Sequence, residues 1–259
     1  MFQKIILVYK ENLQKSLFEK IEEIKRYFPE SDFFITSYSS VNKQLVEDAD
    51  LIITIGGDGT FIKAGHLLES SFILGINSDP EKSEGALTSI NINEIEKLES
   101  LNSGRFNVTE RQRAEVFLNG KLLDERAVNE VYIGSSYQFH TSRYKIRFRG
   151  LEEEHRSSGI IISTGTGSRA WFLSAGGKPF HHEEKKLGFI VREPYFGERI
   201  FTPKLLSGEI LEGEKIEFES TRDSGGIIAI NDSIYDFKRG DAAEIRLSGK
   251  PLKVITPKF

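Results

Sequence analysis

The chain has 259 residues, 38 % of them hydrophobic and 29 % charged, with 35 basic and 39 acidic side chains and a net charge of −4. That is an ordinary globular balance, long enough for one or two domains, and it gives no bulk electrostatic case for nucleic acid or an anionic membrane as a partner. The absence of cysteine excludes disulfides, thiolate metal sites and a cysteine nucleophile. No apolar run reaches the length of a membrane span, and Met1–Tyr9 reads as neither a signal nor a transit peptide, so a cytoplasmic protein is expected.

The first hundred residues alternate between strand and helix patterns. Lys4–Tyr9 reads as a buried strand. Leu13, Leu17, Ile21 and Ile24 recur at helical spacing, which predicts an amphipathic helix over Asn12–Phe28 ending near Pro29. Asp32–Tyr38 follows as a strand, Val41–Asp48 as a short helix, and Leu51–Ile55 as a second apolar strand. A Gly-rich turn then leads into a helix from Thr60 to about Glu69, a strand at Phe72–Ile76 and a helix at Asn93–Leu101. Such alternation implies a parallel sheet.

After Gly104 the pattern becomes antiparallel β. Val108–Leu118 and Leu122–Ser135 are strand-like and joined by Asn119-Gly120, a strong hairpin signal. Arg143–Arg149, Gly159–Ser163, Glu214–Glu219, Gly226–Asn231 and Ala243–Leu247 extend the pattern. The expectation is an α/β domain over 1–104 and a β-rich domain over 105–259.

The most informative stretch is Gly56-Gly57-Asp58-Gly59-Thr60 between strand and helix. It sets an acid and several backbone N–H groups at the carboxyl edge of a sheet, where open α/β folds bind ligands and where a helix N-terminus favours phosphate. An acid beside phosphate suggests proton removal from an attacking hydroxyl, or help in holding Mg²⁺. The bland alternative is a tight glycine turn. Asn77, after the next strand, falls at the same edge, although an Asx turn before Pro80 explains it equally well.

Asn129-Glu130 interrupts an apolar run. A buried amide and carboxylate need partners, and these two can serve a purine edge and ribose hydroxyls. A second small-residue segment, Arg156-Ser157-Ser158-Gly159 through Thr164-Gly165-Thr166-Gly167-Ser168-Arg169-Ala170-Trp171 to Ser174, lets a ligand approach the backbone. The histidines, including His181-His182 before Glu183, are not spaced to present two ligands on one face, and no metal site built from protein histidines is expected.

Gly56–Thr60, Asn129-Glu130, Ser163–Ser174 with Gly176-Gly177, and Ile230-Asn231-Asp232 occur in the order seen in NAD kinases, and over roughly Leu51–Asp241 the chain resembles that family. Gly75–Gly85, Ser157-Ser158-Gly159, Thr164–Trp171 and Arg192-Glu193-Pro194 resemble its mitochondrial-type members. Typical bacterial members have Asp-Gly at Ser158-Gly159 and Thr-Pro-Thr-Gly-Ser-Thr-Ala-Tyr at Thr164–Trp171.

The resemblance implies an α/β domain joined to a β domain with the active site between them, a C-terminal return to the first domain that here is short or absent, and a homo-oligomer, a dimer by preference. It implies phosphoryl transfer from ATP or polyphosphate to the 2′-hydroxyl of the adenosine ribose of NAD, with Mg²⁺. Asp58 is then the base. Gly56, Gly57, Gly59 and Thr60 cradle phosphates, and Lys63 adds a charge or is simply a solvated helix lysine. Asn129 and Glu130 hold the adenosine. Arg169, Ala170 and Ser174 line adenine and ribose, and Thr166 belongs to the same segment. Ser158 stands in for an acid near the nicotinamide ribose, Arg156 approaches the pyrophosphate, and Asp232 matches a family position. The Gly-Gly-Asp-Gly motif is shared with diacylglycerol-type lipid kinases, which leaves a lipid kinase and a non-catalytic NAD-binding regulator as alternatives.

Overall fold

The computed structural model describes residues 2–11, 16–137, 139–197 and 202–258. They group into two compact units, Met1–Glu110 with Leu252–Phe259, and Arg111–Pro251. The last eight residues therefore leave the expected 105–259 division and join the first unit.

In the first unit β1 (Lys4–Tyr9), β2 (Asp32–Ser37), β3 (Leu51–Gly56) and β4 (Phe72–Asn77) form a parallel sheet in the order β2-β1-β3-β4. The central strands are continuous apolar runs because both faces are covered. On one face, Leu17, Ile21 and Ile24 of the helix Ser16–Arg26 pack with Ile95, Leu98 and Leu101 against Leu7, Ile53 and Leu74. Alternate residues, Ile6, Ile52 and Ile73, are buried on the other face, where Phe61 of the helix Asp58–Leu67 packs against Gly75. Positions 12–15 of the first expected helix lie outside the described residues. The expected helix at Val41–Asp48 shrinks to Lys43–Val46, started by Asn42, whose side chain accepts from Leu45 N. Asn93–Leu101 becomes a 3₁₀ segment Ile92–Leu98 followed by Glu99–Asn102, because Glu94 leaves helical geometry while its carboxylate caps Asn91 N.

The C-terminal return is a full strand. Leu252–Pro257 pairs in parallel with β4, Val254 opposite Ile73, and buries Ile255 in the core. Beyond it lies Phe106–Arg111. The strand expected at Val108–Leu118 is thus two strands, broken at Gln112-Arg113, with Ala114–Leu118 belonging to the other unit.

The second unit is a sandwich of two six-stranded sheets with antiparallel neighbours. Val116, Ile146, Ile216, Phe218 and Ile245 of one sheet share a core with Val131, Ile133, Ile160, Ile162, Phe189 and Ile228 of the other. Asn119 (φ 51) and Gly120 (φ 78) make the primed turn their sequence requires. The stretch Leu122–Ser135 is interrupted, leaving Lys121–Leu122 and Glu130–Ser135. Strands at Leu151–Ser157, Lys186–Val191, Ser207–Leu211 and Ser233–Asp236 complete the sheets. Among the described residues no helix is long and apolar enough to cross a membrane.

Candidate active site

The first group of site residues is set by the end of β3. Gly57 starts the helix Asp58–Leu67 in extended geometry without a side-chain cap. Gly56 is dictated by packing, since a Cβ there would lie 2.2 Å from Thr60 Oγ1. A Cβ on Gly57 would meet Ser83 Oγ at 3.0 Å, whereas one on Gly59 would meet nothing within 4 Å. The turn therefore has open space at Gly59, beside uncapped helix-end amides.

Asp58 is half-buried. Its Oδ1 accepts from Leu87 N at 2.9 Å and its Oδ2 from Ala86 N at 3.2 Å. Asn77 is buried, donating from Nδ2 to Ser83 O at 2.8 Å and accepting at Oδ1 from Asp79 N at 3.1 Å. The Asx-turn alternative describes it well. Lys63 is half-buried, with Nζ 5.8 Å from the centre of the Tyr38 ring.

The second group lies at one end of a sheet in the other unit. Ser163 pairs with Glu130 and Ile230 with Val131, so Asn129-Glu130, the Thr164–Gly167 turn and Asn231-Asp232 share that end. Asn129 sits just before the strand, and Glu130 is its first residue. Thr164 ties the segments together: its N donates to Asn129 O, its Oγ1 donates to Val128 O at 2.6 Å, and Oγ1 accepts from Gly167 N. A Cβ on Gly167 would fall 2.5 Å from Glu130 Oε2 and 2.6 Å from Asn129 O, so only glycine permits this approach. Asn129 Oδ1 and Glu130 Oε2 are buried without a hydrogen-bond partner among the described residues. Burial pushes the Glu130 carboxyl up to about 7. Two buried acceptors without a partner on adjacent residues, with a raised carboxyl between strand and turn, mark a candidate binding site.

Thr166 accepts from Arg111 Nη1 at 3.5 Å. Arg169, Ala170 and Ser174 are exposed, and Ser174 Oγ bonds back to Ala170 O. Asp232 is exposed in the turn between Gly226–Ile230 and Ser233–Asp236, next to Asn231 at φ 51.

Ser158 lies at the opposite end of the same strand pair, and Arg156 just before it on the strand Leu151–Ser157 of the other sheet. Ile160 faces Ile133, which puts Ser158 about 17 Å from the Glu130 end at the usual strand rise. They line a cleft of about 350 Å³ with His140, Glu193 and Tyr195. Between the two ends the ring of Tyr132, on the Glu130 face of its strand, packs against Trp171 at 5.4 Å, tilted by 32°, and Arg192 lies over Trp171 at 5.1 Å. Tyr132 OH donates to Ser158 O at 2.9 Å. This aromatic platform was readable from the 130, 132, 134 alternation.

His181, His182 and Glu183 bring ligand-capable atoms within 4.8 Å of one another, contrary to the spacing argument, because they sit in a turn. Desolvation, then Arg111, holds His182 down at about 4, an environment adverse to a cation. The same turn fills the space at Gly165, where a Cβ would lie 2.2 Å from His181 O.

Residues 4–105 match the family model described as the ATP-NAD kinase N-terminal domain. A probable NADH kinase of Oryza sativa subsp. japonica is 32% identical over 238 residues, covering 82% of this chain and 72% of that protein. The NAD kinase of Pyrococcus abyssi is 31% identical, covering 82% and 74%. NAD kinase 2, mitochondrial, of Rattus norvegicus is 30% identical over 50% of this chain and 41% of its own. Among solved structures, yeast NADH kinase complexed with NADH superposes with a TM-score of 0.82 at 17% identity, covering 98% of this chain and 83% of that one. An NAD kinase from Archaeoglobus fulgidus in complex with ATP gives 0.74 at 22%, covering 98% and 94%.

Proposed function

The chain belongs to the NAD kinase family, and on that premise we propose that it transfers a phosphoryl group from ATP to the 2′-hydroxyl of the adenosine ribose of NAD, giving NADP. The observation that carries this reading is the pair of acceptors at Asn129 and Glu130, whose Oδ1 and Oε2 have no hydrogen-bond partner among the described residues and so suit the donors of a ligand. Ribose hydroxyls and an adenine amino group are such donors. The lipid-kinase and regulator alternatives draw no support from the relatives found.

Phosphoryl transfer needs positioning and charge stabilisation more than covalent chemistry. The N–H groups around Gly57 and Gly59 supply fixed donors for phosphate oxygens, Thr60 N being engaged with Gly57 O, and the open side of Gly59 gives them room. Asp58 takes the proton from the 2′-hydroxyl, a step that contributes typically about 10²–10⁴-fold. The Asn129 side chain reads the adenine edge, and Glu130 accepts from a ribose hydroxyl. The platform of Tyr132, Trp171 and Arg192 between the two ends of the strand pair suits the middle of an extended dinucleotide, with Ser158 and Arg156 toward its nicotinamide half.

The Asp58 acceptor positions left by the two backbone amides are those the base needs, so Mg²⁺ would be held by the phosphate oxygens of the nucleotide. When bound, the metal neutralises charge on the transferred group. We further propose a cytoplasmic, homodimeric enzyme, on family resemblance alone. The test is incubation with ATP, Mg²⁺ and NAD, with product read by an NADP-specific dehydrogenase. Absence of NADP with NAD, NADH, ATP and polyphosphate all supplied would overturn the assignment.

A further inference from the structure

We propose that Asn77 and Gly85 are positioning residues for the base, acting through the backbone amides of Ala86 and Leu87; this rests on Asp58 being the base. Among the described residues no side chain donates a hydrogen bond to the Asp58 carboxylate. Each oxygen takes one amide from the segment after β4, Oδ2 from Ala86 and Oδ1 from Leu87. Two donors on two oxygens fix both the rotation and the tilt of a carboxylate. They occupy two of its roughly four acceptor positions and leave the others for a hydroxyl proton.

Those amides are in place because of a folded turn. Asp79 O accepts from Lys82 N and Ser83 N, starting the turn. Asn77, buried at the end of β4, grips it at both ends, taking Asp79 N on Oδ1 and giving Nδ2 to Ser83 O. Gly85 then reverses the chain at φ +59, with Thr88 Oγ1 donating to its carbonyl at 2.7 Å. A Cβ at Gly85 would stand 2.5 Å from Asn77 Nδ2 and 2.6 Å from Thr88 Oγ1. The left-handed backbone and the contact with Asn77 therefore both demand glycine. Thr88 in turn packs on Gly75, where a Cβ would lie 2.9 Å from Thr88 Cα, and Ser89 N bonds to Gly75 O. The path from Asn77 to the carboxylate runs through its hydrogen bond to Ser83 O, along the backbone of residues 83–86, and out through the Ala86 and Leu87 amides, all within one unit.

A residue that positions the base affects turnover and leaves nucleotide affinity alone. Asn77→Ala and Gly85→Ala are each expected to lower kcat about 10–100-fold, with KM for NAD and ATP changed less than about threefold. The same substitutions in an Asp58→Asn background are expected to lower the residual kcat no further, since the group they orient is gone. Should Asn77→Ala fail to fold, Thr88→Val removes only the hydroxyl donor to Gly85 and is expected to give a smaller loss, again confined to kcat. A rise in KM equal to the fall in kcat, or full additivity with Asp58→Asn, would overturn the proposal. An Asp58→Asn enzyme that keeps near wild-type turnover would instead refute the base assignment beneath it.

Discussion

Glu130 provides the sharpest test, because one substitution separates its charge from its shape. Burial raises its carboxyl from about 4.5 to about 7 in the folded, ligand-free protein. Below pH 4.5 the folded and unfolded chains both hold the proton, and the group carries no penalty. Between pH 4.5 and 7 the unfolded chain ionises while the folded one keeps its proton, so stability falls as pH rises. Above 7 the loss is complete. A shift of roughly 2.5 units at 1.36 kcal/mol each sets a ceiling near 3 kcal/mol. Glu130→Gln cannot ionise and retains the shape. Its stability relative to wild type should therefore rise between pH 4.5 and 7 and level off above it. On the transition of the β-rich unit this corresponds to at most roughly 6–12 °C in Tm. Thermal unfolding at half-unit steps from pH 4.5 to 8.5 reads it directly. If NAD donates to Glu130, binding at pH 6.5 should also release a proton in wild type and not in Glu130→Gln, measured calorimetrically in buffers of different ionisation enthalpy. A stability difference that is flat across pH 4.5–7 would show that the carboxylate is not desolvated and would remove the main support for the adenosine site.

Asp58→Asn should retain the fold and nucleotide binding but lose about 10²–10⁴-fold in turnover, measured with the coupled NADP assay. Gly167→Ala drives a methyl toward Glu130 Oε2 and Asn129 O, and is expected to cost about 1–3 kcal/mol in chemical denaturation and to raise KM for NAD more than KM for ATP. Thr164→Val keeps the volume but drops the hydroxyl shared by Val128 O and Gly167 N, with an expected loss of about 1–3 kcal/mol and a parallel rise in KM for NAD.

What the sequence exposed and what it hid follow from the range of the interactions involved. The strands β1, β3 and β4 were legible because burial on both faces leaves an uninterrupted apolar run. Asn119-Gly120 was legible because two positive φ values in succession admit few other residues. Leu151–Ser157 was not: its Glu152, Glu153 and Glu154 suppress any apolar alternation, and it is a strand because it pairs along its whole length with Ser142–Phe148 at a sheet edge. The same holds within the site. Asp58 stood out as an acid among glycines, but the amides that hold it come from Ala86 and Leu87, whose side chains carry no polar signal. Gly165 is one of several departures from the bacterial pattern, and the turn that accommodates it, His181-His182, is remote in sequence. Asn77 shows the limit most clearly. Its residue type and its place at the sheet edge were right for a ligand contact, yet both ends of its side chain are engaged with the turn that carries the amides. A side chain that shapes backbone donors is chemically indistinguishable, in sequence, from one that touches substrate. Only the direction of its hydrogen bonds separates the two, and that direction is set by a turn two to six residues further on.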